Sequence, residues 1–142
     1  MNQPLVFLSA RLHGLDMADR QAKLNDIWHE ESLCGFAHFP VMMRGMGLQT
    51  ASFDGSGCFM LHVVPQQAHL NIMGTIHGGW MAYLMDTANS MCANGHVNGA
   101  QFTSTMDIHM TYLNPLTVWD ESYVIEAKIK KRGARVVVVV AE

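Results

Sequence analysis

Charge is scarce in this chain. Asp, Glu, Lys and Arg together make up 15% of its 142 residues, and the formal net charge is −3. No basic stripe with interleaved aromatics runs through it, which argues against a nucleic-acid binder. The three cysteines, Cys34, Cys58 and Cys92, lie far apart with no C-x-x-C pair. An odd, scattered set of this kind fits a reducing cytoplasm. No apolar run is long enough for a membrane span. The opening MNQPLVFLSA lacks the basic residue that precedes the core of a signal peptide. Also missing are G-x-S-x-G, Walker A, G-x-G-x-x-G and H-E-x-x-H. The histidines are scattered, and His62, His69 and His77 give no compact ligand spacing, so no metal is expected. There is no internal repeat, low-complexity tract or linker.

What is present is apolar. Hydrophobic residues make up 49% of the chain, enough for one domain with one core and some area left for a subunit interface. The twelve methionines fill irregular core space, and they also suit flexible apolar ligands. Residues 16–34 carry apolar side chains at helical spacing. Strands are expected over 47–53 and 58–64, joined by the Asp54-Gly55-Ser56-Gly57 turn. A helix over about 76–93 is apolar around most of its circumference and should be buried. Residues 102–113 alternate cleanly, with Met106, Ile108, Met110 and Tyr112 on one face. Alternation returns over 121–130, a hairpin turn follows at 131–134, and the unbroken Val136–Val140 run suits a central strand. This order gives an α+β fold, an antiparallel sheet against one long buried helix, with an extra N-terminal helical segment.

The run NIMGTIHGGWMAYLMD, from Asn71 to Asp86, carries the chemistry. Gly78 and Gly79 are poor helix formers placed where the buried helix starts. Without side chains they let a substrate oxygen approach free backbone N–H groups. Asp86 lies too deep in the helix to be an N-cap. Among Trp80, Met81, Tyr83, Leu84, Met85 and Ala88, a carboxylate is costly to bury without a partner. Oxyanion donors together with an inward carboxylate point to hydrolysis of an activated acyl group. The plainer alternatives are close helix packing for the glycines and a structural Asp86 bonded to Tyr83, Asn89 or a loop amide.

With its flanking elements this run resembles the hotdog-fold acyl-CoA thioesterases. It is most similar to the phenylacetate-pathway (PaaI-like) group of the 4-hydroxybenzoyl-CoA thioesterase superfamily. The residues that carry the resemblance are Asn71, Gly74, His77, Gly78, Gly79 and Asp86, followed by STMDIHMTYLNP over 104–115. The resemblance covers roughly residues 45–142. It implies a hotdog domain over 46–142, with the sheet wrapped around the helix, and leaves the N-terminal helical extension over 1–45 unexplained. It also implies dimers formed by edge-to-edge sheet pairing, often tetramers, and active sites shared between subunits. Asn71, His77 and Gly78 then come from one subunit, and Asp86 and Thr105 from the other. A further strand is usual in this group after the valine-rich one, beyond Glu142. Otherwise another element must cover that edge, and the N-terminal residues are the candidates.

The expected reaction is thioester hydrolysis to free acid and coenzyme A, without a separate cofactor. Gly78 N–H would hold the developing oxyanion, aided by the helix dipole. Asp86 would activate water or attack directly. Asn71 would orient water or the carbonyl, unless it only shapes its loop. His77 is favoured as a structural hydrogen-bonder. Thr105 would place a hydroxyl near the attacking water. Gly79, Tyr83, Arg132 and Arg135 are candidate substrate contacts, the arginines for the phosphates of the acyl-CoA. The alternatives are a non-catalytic acyl-CoA-binding hotdog protein and a hotdog enoyl hydratase or dehydratase. No membrane or nucleic-acid partner is expected.

Overall fold

The computed structural model of the chain describes residues 8–117, 119 and 121–142. Helices α1 (Leu8–Leu12), α2 (Met17–Leu33) and α3 (Val41–Arg44) come first. Strands β1 (Leu48–Phe53) and β2 (Phe59–Val63) follow, and a 3₁₀ turn spans Gln67–His69. Helix α4 (Gly78–Gly95) and strands β3 (Tyr123–Arg132) and β4 (Val137–Ala141) complete the fold. The strands form one antiparallel sheet in the order β1-β2-β3-β4.

Local chemistry sets these boundaries. Asp16 caps α2 by accepting from the Asp19 amide at 2.9 Å. Asp54 closes the β1–β2 hairpin by accepting from the Ser56 hydroxyl and the Ser56 and Cys58 amides. These bonds, the Ser56 hydroxyl foremost, hold its carboxyl below the ordinary carboxylate range. Gly95 ends α4 where a Cβ would stand 2.1 Å from the Phe53 ring, so only glycine fits there. Gly47, with φ +75°, passes so close to the Val64 carbonyl that a Cβ would meet its oxygen at 2.2 Å.

The inward side chains of the sheet meet across the ladder. Phe53 pairs with Phe59, Leu61 with Ile125, and Phe59 with Ala127. Helix α4 lies across β2, β3 and β4 and buries Leu84, Ala88 and Cys92 against them. Helix α2 lies on β1 and touches α4. Its Trp28 is 1% exposed and sits among Phe36, Phe39 and Phe59, with ring centroids 5.0–6.1 Å away. Leu24, Ile27 and Trp28 belong to the same core as the strands, so the N-terminal extension shares the core of the sheet. Burial of side chains this size contributes about 2–3 kcal/mol each.

Three expectations are corrected. The valine run is an edge strand: among the described residues β4 pairs only with β3, and Val136, Val138 and Val140 are about half exposed. The N-terminal region packs chiefly at the opposite edge of the sheet, with α2 on β1, and Met17 at its start reaches Arg132 at the end of β3. Residues 102–113 form no strand, because no ladder partner lies beside them among the described residues.

Side chains instead hold that segment along α4. Asn94 accepts from the Thr103 amide at 3.0 Å, Thr105 donates to Asp86, and the Tyr112 hydroxyl donates to the Gly78 carbonyl at 2.9 Å. The segment therefore runs back from the end of α4 to its start. Its beginning is anchored by Arg20, which is 0% exposed. Arg20 donates to the carbonyls of Gln101 (2.8 Å), Leu12 (3.4 Å) and Gly99 (3.5 Å) and lies over the Phe102 ring. Arg20→Met keeps the apolar stem and removes every donor. It should lower stability by about 2–4 kcal/mol, read as a fall in the urea midpoint. An unchanged midpoint would show that the anchor contributes nothing.

Candidate active site

The start of α4 is built by its own sequence. His77 is the N-cap, and its Nδ1 accepts from the Gly79 amide at 2.9 Å. A Cβ on Gly79 would meet that same nitrogen at 2.9 Å, so glycine makes room for the cap. The Gly79 amide is therefore occupied. The Gly78 amide, by contrast, has no partner among the described residues. It is the free donor at the positive end of an 18-residue helix.

His69 braces this end from below. Its ring stacks on Trp80 at 4.8 Å, Nδ1 accepts from the Gln66 amide, and Nε2 lies 2.6 Å from the Gly45 carbonyl. The His77 amide in turn donates to the His69 carbonyl.

Asn71 lies in the exposed loop before the helix. Its Oδ1 accepts from the amides of Met73 (2.9 Å) and Thr75 (3.2 Å), and its Nδ2 donates to Thr75 Oγ1 at 2.7 Å. In this chain all of these bonds shape the loop. The tip of that loop exposes Ile72 and Met73 fully or nearly so.

Asp86 lies eight residues along α4 from Gly78, a rise of about 12 Å. It is half-buried, and Oδ1 accepts from Thr105 Oγ1 at 2.7 Å. Ser90 Oγ lies 3.3 Å from the same Thr105 oxygen. The structural partner of Asp86 is thus the Thr105 hydroxyl, in place of Tyr83, Asn89 or a loop amide. Tyr83 is near enough to feel the carboxylate: burial first, then the Asp86 charge, raises its pKa.

These groups face a cleft of about 880 Å³ between α4, residues 101–108 and the β3–β4 hairpin. Asp86, Ser90, Thr105, Arg132 and Arg135 all line it. One chain therefore brings together Asp86, Thr105 and both arginines. It keeps Asn71, His77, Gly78 and Gly79 at the far end of the helix.

Sequence reasoning did not single out Ser90 or Tyr112. Ser90 follows Asp86 by four residues and so shares its helix face, a signal that was legible. Tyr112 had no local signal, because its contact with Gly78 spans 34 residues.

Comparisons with known proteins bear on the family and the fold. The family described as the thioesterase superfamily matches residues 73–142. Mouse acyl-coenzyme A thioesterase 13 is 37% identical over 68 residues, 48% of this chain and 47% of that protein. The human protein of the same name is 31% identical over 90 residues, 63% of each. The matched stretch thus spans between about half and two-thirds of the length of these relatives.

Among solved structures, a phenylacetic acid degradation-related protein of Ralstonia eutropha JMP134 superimposes with a TM-score of 0.66. It is 22% identical, over 81% of this chain and 86% of that one. The E. coli PaaI protein from the phenylacetic acid degradation operon gives 0.62 at 16% identity, over 89% and 91%. These likenesses establish the fold. The sheet with α4 packed across it is a hotdog fold, and residues 73–142 match the thioesterase superfamily.

Proposed function

We propose that this protein is an acyl-CoA thioesterase of the PaaI-like kind, acting as a homo-oligomer whose active site is shared between two copies. One observation carries the reading. A free amide at Gly78 and a hydroxyl-bound carboxylate at Asp86 sit on one rigid helix about 12 Å apart. Acyl transfer needs an oxyanion donor and the attacking group each within about 3 Å of one reacting centre. Two groups on one helix at that separation do not converge, so each active site takes one from each copy. Antiparallel apposition of two copies of α4 would meet that demand. The unpaired segment over 102–113, with Met106 and Leu113 each 84% exposed, supplies apolar surface for such pairing.

In this mechanism the Gly78 amide binds the thioester oxygen and, with the helix dipole, stabilises the charge that develops there. Asp86 of the other copy takes a proton from water, whose oxygen bonds to the carbonyl carbon. The C–S bond then breaks, and the thiolate of coenzyme A leaves and is protonated. Thr105, itself beside Ser90, fixes one carboxylate oxygen through its hydroxyl. The other oxygen has no protein partner among the described residues. His77 and Asn71 position the donor end. Arg132 and Arg135 at the cleft rim offer positive charge to the phosphates.

No helix among the described residues is long and apolar enough to cross a membrane, and all three cysteines are free. Both facts support a cytoplasmic site of action.

Thiol release from aromatic and aliphatic acyl-CoAs tests this reading. Asp86→Ala and Gly78→Pro should each slow turnover by about 100-fold or more. Proline at the first helical position keeps the helix start and removes the donor, while its ring adds atoms beside Tyr112, 3.5 Å from where its Cβ would stand. Binding without turnover by the unaltered chain would favour an acyl-CoA-binding protein. Loss of enoyl absorbance without free thiol would favour a hydratase. Full activity in Asp86→Ala would refute the assigned role of that carboxylate.

A further inference from the structure

We propose a second site, far along the chain from Asp86: Glu31, Cys34 and His38 form a binding site for a divalent transition metal of zinc type. The site closes the C-terminal end of α2. Glu31 sits in the last turn, 8% exposed, and Cys34 is the C-cap. The chain then reverses through Gly35 and Phe36, both in the left-handed region at φ +63° and +58°. The Phe36 amide returns to the Glu31 carbonyl at 2.7 Å, while its ring packs beside Trp28. The reversal carries His38 back over Glu31.

The donor atoms are already gathered. His38 Nδ1 lies 3.1 Å from Glu31 Oε1, Cys34 Sγ lies 3.7 Å from His38 Nδ1, and the same sulfur lies 3.8 Å from Glu31 Oε2. One ligand atom from each residue lies within 4.8 Å of the other two. Tetrahedral zinc, with bonds of about 2.3 Å to sulfur and about 2.0–2.1 Å to nitrogen and oxygen, spaces its ligand atoms about 3.3–3.6 Å apart. The Cys34–His38 spacing already matches to within a few tenths of an ångström, and the Glu31 carboxylate, which meets the two partners through different oxygens, must turn to bring one oxygen to both.

Electrostatics favours the same occupant. Among the described residues Glu31 is buried without a Lys or Arg partner; its polar contacts are the His38 ring and amide and the Cys34 thiol. A buried carboxylate in such surroundings calls for positive charge. A dication supplies it, and thiolate, imidazole and carboxylate together suit a borderline-soft ion. On binding, the Cys34 thiol releases its proton to solvent, and the His38 ring keeps a proton on Nε2. The ion gives up hydration water and keeps a water on its open side, where Cys34 and His38 are exposed. Its effect is to clamp the end of α2 to the reverse turn that sets Phe36 and Phe39 on Trp28.

The test uses the full chain, reduced and freed of metal. Titration with Co²⁺ should give a thiolate-to-cobalt charge-transfer band saturating at one ion per chain. Zn²⁺ should abolish the band with an apparent Kd of about 10 µM or tighter and raise the melting temperature. Cys34→Ser and His38→Gln change exposed residues and should leave the circular dichroism unchanged. Cys34→Ser should remove the band, and each should weaken Zn²⁺ binding by about tenfold or more. His29→Gln, an exposed histidine on the same helix, should change nothing. Absence of the band in the unaltered chain, or its persistence in Cys34→Ser, would overturn the assignment. Cys58 and Cys92 are buried, and burial pushes the Cys92 thiol up to about 11, so neither is a ready source of the band, and a band that survives Cys34→Ser counts against Cys34 as the ligand.

Discussion

Helix α4 is held rigidly across β2, β3 and β4, and nearly every feature of the candidate site follows from that placement. Packing of Leu84, Ala88 and Cys92 against the strands fixes the rotation of the helix about its axis. That rotation turns Asp86 and Ser90 toward the cleft. The same packing ends at Gly95, where the Phe53 ring occupies the space a Cβ would need. At the other end, the stacked pair His69 and Trp80 and the His77 cap hold the first turn in place, so the Gly78 amide is presented without a partner. The separation of the Gly78 amide from Asp86 follows from the rise of the helix itself, and core packing sets the direction in which each end of it faces.

The return segment along α4 shows the cost of that arrangement. Its backbone has no ladder, so its order depends on side chains from three places: Arg20 in α2, Asn94 at the end of α4 and Tyr112 within the segment itself. Arg20 and Asn94 fix the chain on the approach to Thr105, which bonds Asp86. A buried arginine in a helix outside the matched family region thus supports the geometry of the carboxylate.

The elements whose signals are local were legible in the sequence. Asp16 and the spacing of Leu24, Ile27 and Trp28 mark α2. The Asp54 turn marks the first hairpin, and the apolar circumference and Asn94-Gly95 mark α4. What local signals could not give is the environment of a strand. The valines of β4 read as central because β-branched residues favour burial on both faces, yet β4 has one neighbour here. Residues 102–113 alternate as a strand does, but alternation specifies faces and not a partner. At the site, glycines at a helix start and a carboxylate within it were visible as chemistry. The bond between Thr105 and Asp86 spans 19 residues and was not read from the sequence; the family resemblance only placed both residues in one subunit near the attacking water. The Glu31, Cys34 and His38 grouping was missed because its spacing matches no standard ligand motif. It is assembled by the left-handed reversal at Phe36, a residue type that seldom adopts that conformation.

The most direct test of the shared site mixes two inactive proteins. Asp86→Ala and Gly78→Pro variants, co-refolded at equal concentration, form hybrids in which one of two sites regains an intact amide and an intact carboxylate. With random association of dimers the mixture should recover about a quarter of the wild-type activity. A mixture whose hybrids form, as shown by native mass spectrometry, yet which stays as inactive as either parent, would contradict a site built from two copies of α4.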